Sequence, residues 1–155
     1  MGHITPWKAM EGLVAQGLAK QIGVCNYNTG LLHDLMSYAR IKPAMLQIES
    51  HPYLTQEALI RTAQGYGMAV TAFSPLGSAS YVELDMATEQ ESALAEPAIT
   101  QIAQRHGVSA AQVVLRWGLQ RGDLERSARR RLCRRRRGAH GWLWRDQPRR
   151  DHRHR

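Results

Sequence analysis

The sequence predicts an α/β fold of parallel strands alternating with helices, and three observations carry that prediction. Short apolar runs at 19–26, 44–50 and 68–73 start 25 and 24 residues apart. Each lacks the polar alternation of a strand with one wet face, as in strands buried on both sides. Between the runs lie stretches with apolar residues at helical spacing, long enough for the crossover that a parallel pair requires. A (β/α)8 barrel averages ~30 residues per strand-helix unit and fits this repeat best, with a doubly wound sheet as the alternative architecture.

The elements follow in chain order. Thr5 before Pro6 combines a capping hydroxyl with a proline suited to a first helical turn, and Trp7, Met10, Leu13 and Val14 then share one face up to Gly17. The first strand run, AKQIGVCN, ends where Asn28 or Thr29 caps a second helix, which carries Leu31, Leu32, Leu35, Met36 and Ala39 and runs to about Arg40. AMLQIES is the second strand. HPYL then turns the chain, and Thr55 is placed to cap a third helix with Ala58, Leu59, Thr62 and Ala63 inward and Gly65 and Gly67 at its end. MAVTAF is the third strand, and the polar stretch 74–96 after it is too long for a simple connection, a length that goes with function in compact domains. Pro97 opens a helix with Ile99, Ile102 and Ala103 inward, and Ser109 caps SAAQVVLRWGLQ. Past Gly122 no run is apolar or alternating enough to form another strand.

Charge divides the chain. The formal net charge is +8, yet Gly122 to Arg155 holds 13 Arg, no Lys and 4 acids, net +9, against 8 basic and 9 acidic residues, net −1, before it. Blocks of like charge resist packing and read as disordered. The expected organisation is therefore a folded unit over 1–121 and an Arg-rich tail over 122–155. No apolar run nears the ~20 residues of a membrane span and the N-terminus lacks a signal peptide's apolar centre, so the expected setting is cytoplasmic, with no membrane partner. Cys25 and Cys133 have no metal-ligand spacing around them, so two free thiols and no metal are expected.

In parallel α/β folds the functional atoms gather where strands end and loops begin. Those positions hold Cys25, Asn26 and Tyr27, then Gln47, Glu49 and His51, then Phe73, Ser74, Leu76, Gly77 and Ser78. The amides of Asn26 and Gln47 offer donor and acceptor together, which suits a carboxamide ligand. Ser74, Gly77 and Ser78 have the hydroxyl and backbone N–H donors of a phosphate-binding loop. Structural readings stand beside these: Asn26 as a cap for the next turn, Ser-Pro-Leu-Gly-Ser as a tight turn, and His51 before Pro52 as a packed, turn-stabilising imidazole.

KQIGVCNYN, MLQIESHPYL, VTAFSPLGS and AAQVVLRWGLQRG, in this order and spacing, resemble the second half of an aldo-keto reductase over roughly residues 4–122. The resemblance implies a (β/α)8 barrel, here partial and covering about three consecutive strand-helix units, and NADPH-dependent reduction of aldehydes or ketones without a metal. It implies that Asn26 and Gln47 hold the nicotinamide carboxamide, with Cys25 where the family usually has Ser. Phe73, usually Tyr, would stack on the nicotinamide ring, and Ser74, Leu76 and Ser78 would run along the pyrophosphate. Phe73 keeps the stacking face without the hydroxyl, and Cys25 offers a weaker hydrogen bond than Ser.

The resemblance also marks what is missing. No residue matches the family's Tyr acid with its Lys, Asp and His, nor the Lys, Ser and Arg that grip the adenosine phosphate, and His51 belongs to HPYL rather than to that active-site histidine. The chain therefore reads as an incomplete piece: part of a cofactor site, no catalytic residue, weak NADPH binding and no turnover alone. The partner of the intact relative is a small aldehyde or sugar-like carbonyl.

Two other functions compete with that one. Arg134 to Arg137 beside Trp142 and Trp144 have the charge and aromatic faces for nucleic-acid binding. A non-catalytic interaction subunit is the third class, since some aldo-keto reductases serve as potassium-channel subunits. The abrupt break at Gly122, where the resemblance places an eighth strand, also fits an out-of-frame reading of a GC-rich gene. Open sheet edges and uncovered apolar helix faces lead to an expectation of self-association or aggregation.

Overall fold

Alternate apolar residues on three strands set the architecture, because they give the sheet one face that packs on helices. The computed structural model describes residues 6–77, 88 and 92–122. Their elements are α1 (Pro6–Ala15), β1 (Gly23–Cys25), α2 (Thr29–Tyr38), β2 (Met45–Glu49), α3 (Glu57–Gly65), β3 (Ala69–Phe73), α4 (Pro97–His106) and α5 (Ala110–Arg121). The strands pair in parallel in the order β1-β2-β3, with Gly23, Met45 and Ala69 in one row and Cys25, Gln47 and Thr71 in another. This is the α/β fold of parallel strands and helices that the repeat predicts, consistent with part of an aldo-keto reductase barrel. The expectations about Thr5, about most of 74–96 and about everything after Gly122 fall outside the described residues.

The expectation of strands buried on both faces is corrected. Leu46, Ile48 and Val70 are buried against Leu32, Ile60, Ala63 and Met68, with Val24 partly buried beside them. On the opposite face Gly23, Met45, Gln47 and Thr71 are half-buried, while Cys25 and Ala69 are exposed. Small and apolar residues such as Gly23, Met45 and Ala69 occupy that second face, which is why the sequence shows no polar alternation. The strands are also shorter than their apolar runs: residues 19–22 precede β1, with the Ile22 carbonyl accepting from Ala44 N at 2.8 Å.

A second apolar cluster of Trp7, Ile22, Leu35 and Ala39 fastens α1 to α2. Here Met10 and Leu13, expected inward, are 36% and 38% exposed, and Glu11 is buried instead. The reason is a backbone that needs an acceptor. Glu11 accepts from the N–H groups of Arg40 at 2.7 Å and Ile41 at 2.9 Å, and Trp7 Nε1 donates to the Ile41 carbonyl at 3.1 Å. The Ile41 hydrogen bond above all, with that of Arg40, holds the Glu11 carboxyl below its ordinary range against the opposing effect of burial.

Helix ends follow local chemistry with one exception. Asn28 caps α2 through a 2.9 Å bond from Leu31 N, and the helix stops at Tyr38 because Ala39 turns extended, short of Arg40. Ser109 caps α5 in a reciprocal capping box with Gln112, and Pro97 opens α4. Thr55 does not cap α3. The cap position belongs to Gln56, left-handed at φ 50° with no side-chain cap bond, while the Thr55 carbonyl accepts from the Arg121 guanidinium. Gln64 Nε2 donates to the Arg121 carbonyl at 3.1 Å, so the end of α5 is tied to both ends of α3. Inward faces are narrower than expected as well: Ile60 and Ala63 are buried on α3 but Ala58 is exposed, and Ala103 is buried on α4 but Ile102 is exposed.

Candidate functional site

Parallel register brings the carboxyl ends of all three strands to one rim. Cys25 lies beside Gln47 and Gln47 beside Thr71, and one step further along β2 Glu49 lies opposite Phe73. The chain leaves β1 through Asn26, whose N–H donates to the Gln47 carbonyl at 2.9 Å while its backbone turns left-handed at φ 57°. Beyond β3, Ser74 is left-handed at φ 46°, and its carbonyl accepts from Gly77 N at 2.8 Å to close a turn. With Gln56 these are the non-glycine residues at positive φ among the described ones, and all three stand at this rim. Such conformations cost about 1–3 kcal/mol each and cluster at ligand clamps.

A cavity of about 400 Å³ opens between the amino ends of α2 and α3. Ile48 and Leu59 form an apolar floor, Phe73 gives an aromatic wall, and Asn26, Gln56 and Glu49 supply polar groups. The volume falls within the range of small-molecule sites, although the recess stands largely open to solvent. Of the strand-end residues singled out by sequence, Asn26, Tyr27, Glu49 and Phe73 line this cavity. Cys25 and Gln47 lie on the open face of the sheet next to it, and Ser74 and Leu76 form the half-buried turn after β3. Ser78 lies outside the described residues. Gln56 was missed, and its left-handed cap leaves no signal in the sequence.

His51 follows its turn-stabilising reading. Its N–H and carbonyl exchange bonds with Leu54 at 3.2 and 2.9 Å, and the ring is buried with Nε2 3.5 Å from Glu49 Oε1. Tyr53 in the same turn donates to Glu96 at 2.8 Å; that bond first, then burial and the carboxylate's charge, push the phenol up from its ordinary pKa. Cys25 is a free, exposed thiol, and Cys133 lies outside the described residues. Among the described residues no group of three or more His, Cys, Asp or Glu is placed to hold a metal, and no helix is long and apolar enough to cross a membrane.

The model of the aldo/keto reductase family matches residues 4–132. The chain belongs to this family. Among its aldo/keto reductase relatives, a probable NAD(P)H-dependent D-xylose reductase of Emericella nidulans is 52% identical over 118 residues, covering 75% of this chain and 37% of the relative. An NAD(P)H-dependent D-xylose reductase of Pyricularia oryzae is 45% identical over 140 residues, 88% of this chain and 43% of the relative. Among solved structures, the aldose reductase of Schistosoma japonicum superposes with a TM-score of 0.65 at 40% identity, covering 78% of this chain and 36% of that one. The chain thus spans 36–43% of the length of these three proteins.

Proposed function

We propose that this chain supplies the cofactor-binding side of a carbonyl reductase that uses NADPH and acts, as a whole protein, on aldehydes or ketones, small and sugar-like ones among them. The observation that carries the reading is the gathering of Asn26, Phe73 and Ser74 at one rim, with Cys25 and Gln47 adjacent by register, at the end of a parallel sheet where such folds bind ligands. The D-xylose reductase names of the relatives support it.

The residue set fits a nicotinamide dinucleotide. Asn26 and Gln47 would hold the carboxamide through paired donors and acceptors, with Cys25 adding a weak S–H contact. Phe73 would give the ring a stacking face. Ser74 and Leu76, continued by Ser78, would run along the diphosphate, where the closed turn at Gly77 fixes their backbone. When bound, the reduced nicotinamide supplies hydride to a carbonyl carbon. The chain's own residues orient the ring and shield one of its faces.

Carbonyl reduction also needs a proton at oxygen, and an acid so placed contributes roughly 10²- to 10⁴-fold. None of Cys25, Asn26, Gln47, Phe73, Ser74 or Leu76 is such an acid. We therefore assign no catalytic residue to this chain, and by itself it binds NADPH weakly and does not turn over. In the same reading, residues 1–121 form a partial (β/α)8 barrel of about three strand-helix units, 122–155 form an Arg-rich tail, the setting is cytoplasmic, and the open sheet edges favour self-association.

Titration with NADPH, followed by nicotinamide fluorescence, tests the reading together with a turnover assay on D-xylose and a small aldehyde. Saturable binding that Asn26→Ala and Phe73→Ala each weaken, without turnover, is the expected result. Indifference to NADPH with salt-sensitive RNA binding would favour the second reading, polyanion binding by the tail, for which the seven arginines between Arg129 and Arg137 are the observation.

A further inference from the structure

Gln56 is left-handed, at φ 50° and ψ 28°, lines the cavity, and gives α3 no side-chain cap bond. Contacts on both sides of the residue fix this conformation. Before it, the Thr55 carbonyl accepts from the Arg121 guanidinium. The peptide unit is planar, so holding that carbonyl also holds the Gln56 N–H. After it, the Gln56 carbonyl accepts from the N–H of buried Ile60 at 2.9 Å, the bond that opens the α3 ladder. Leu54, another lining residue, exchanges backbone bonds with His51 at 2.9 and 3.2 Å. Arg121 thus acts on one peptide, Thr55–Gln56, between two points fixed by other bonds.

We infer that Arg121 is a positioning residue for the cavity, holding Gln56 in the left-handed conformation that sets the lip at the start of α3. The arginine is prepared for this contact. Its guanidinium lies 4.4 Å from the centre of the Trp117 ring, and its carbonyl accepts from Gln64 Nε2 at 3.1 Å. Gly122 packs against the same amide, where a Cβ would come within 2.9 Å of Gln64 Nε2. Charge alone does not bring a cation here, because the amino end of a helix disfavours one. A planar fork aimed by an aromatic face does.

The geometry stands apart from the proposed function, and only its consequence for NADPH rests on that reading, since Gln56 shares the cavity with Asn26 and Phe73. Arg121→Met in the full chain keeps an apolar stem and removes the guanidinium. The Ile60 amide is expected to exchange roughly tenfold faster, with those of Leu46 and Val70 in the core strands unchanged. The NADPH Kd is expected to rise about threefold. Glycine takes positive φ without help, so Arg121→Met made in a Gln56→Gly chain is expected to move neither quantity by more than about twofold. That loss of effect separates positioning from general support of the fold. Nitrogen NMR of the wild-type guanidinium is expected to show separate Nη1 and Nη2 signals, as hindered rotation requires.

Unchanged Ile60 exchange in a folded Arg121→Met chain, acceleration that Leu46 and Val70 share, an undiminished effect in the Gln56→Gly chain, or averaged Nη signals overturn the inference. If Arg121→Met does not fold, the wild-type Nη signals decide it together with Arg121→Lys, which keeps the charge without the fork and should speed Ile60 exchange about threefold. Where wild type binds NADPH, an unchanged Kd in Arg121→Met overturns the positioning role. Wild type that shows no NADPH binding refutes the cofactor reading alone, because exchange and guanidinium signals still test the clamp on Gln56.

Discussion

Gly23 is the residue where one methyl group should matter most. It pairs with Met45 across the β1–β2 ladder, and a Cβ added there would sit 2.6 Å from the Met45 carbonyl oxygen and 3.3 Å from both Met45 C and Cβ. The nearest obstacle is backbone, so no side-chain rotation relieves it. Restoring an ordinary 3.4 Å contact from 2.6 Å moves β1 about 0.8 Å from β2. The flanking bonds Ala44 N to Ile22 O at 2.8 Å and Asn26 N to Gln47 O at 2.9 Å would stretch beyond useful range. Each is worth about 1 kcal/mol net, and the overpacking itself costs about 1–3 kcal/mol. Alanine's smaller unfolded-state entropy offsets ~0.5–1 kcal/mol of this. Gly23→Ala should therefore destabilise by roughly 2–4.5 kcal/mol, a large share of a marginal stability. Urea unfolding followed by circular dichroism measures it, and a midpoint equivalent to less than about 0.5 kcal/mol of change would refute the reasoning.

Other substitutions test other links. Gly65→Ala adds its methyl to open space on α3 and should raise stability by ~0.5–1 kcal/mol in the same urea assay, opposite in sign to Gly23→Ala. Leu32→Ala empties a fully buried site between α2 and the sheet and should cost about 2–5 kcal/mol by thermal or urea unfolding. Asn28→Ala removes the α2 cap at about 1 kcal/mol, with Asn28→Asp close to neutral. Glu11 has a depressed carboxyl pKa, so its stabilisation is present above the unfolded value near 4.5 and is lost as pH falls through the lower folded value. Glu11→Gln should lower the neutral-pH Tm and flatten the acid side of the Tm–pH curve; an unchanged acid slope would refute that linkage.

What was legible in the sequence was what local chemistry controls. The spacing of apolar runs located β1, β2 and β3, and the capping preferences of Asn28, Ser109 and Pro97 located three helix starts. The choice of which face is buried was harder, because it is decided by contacts far along the chain. Glu11 displaces Met10 and Leu13 from the inside of α1 only because residues 40 and 41 present two unpaired N–H groups to it. The left-handed Gln56 is likewise a product of tertiary fit, with no short-range signature. The placement of Asn26, Phe73 and Ser74 at the carboxyl ends of strands was legible because the apolar runs mark where β1 and β3 stop.

Arg121 sits one position from the cap that ends α5, yet it grips the carbonyl of Thr55, the neighbour of cavity-lining Gln56, across 66 residues of sequence, with its guanidinium 4.4 Å from the centre of the Trp117 ring. The lip of the cavity is therefore hung from the far end of the folded segment. The chain that continues past Gly122 thus starts next to the residue that supports that lip.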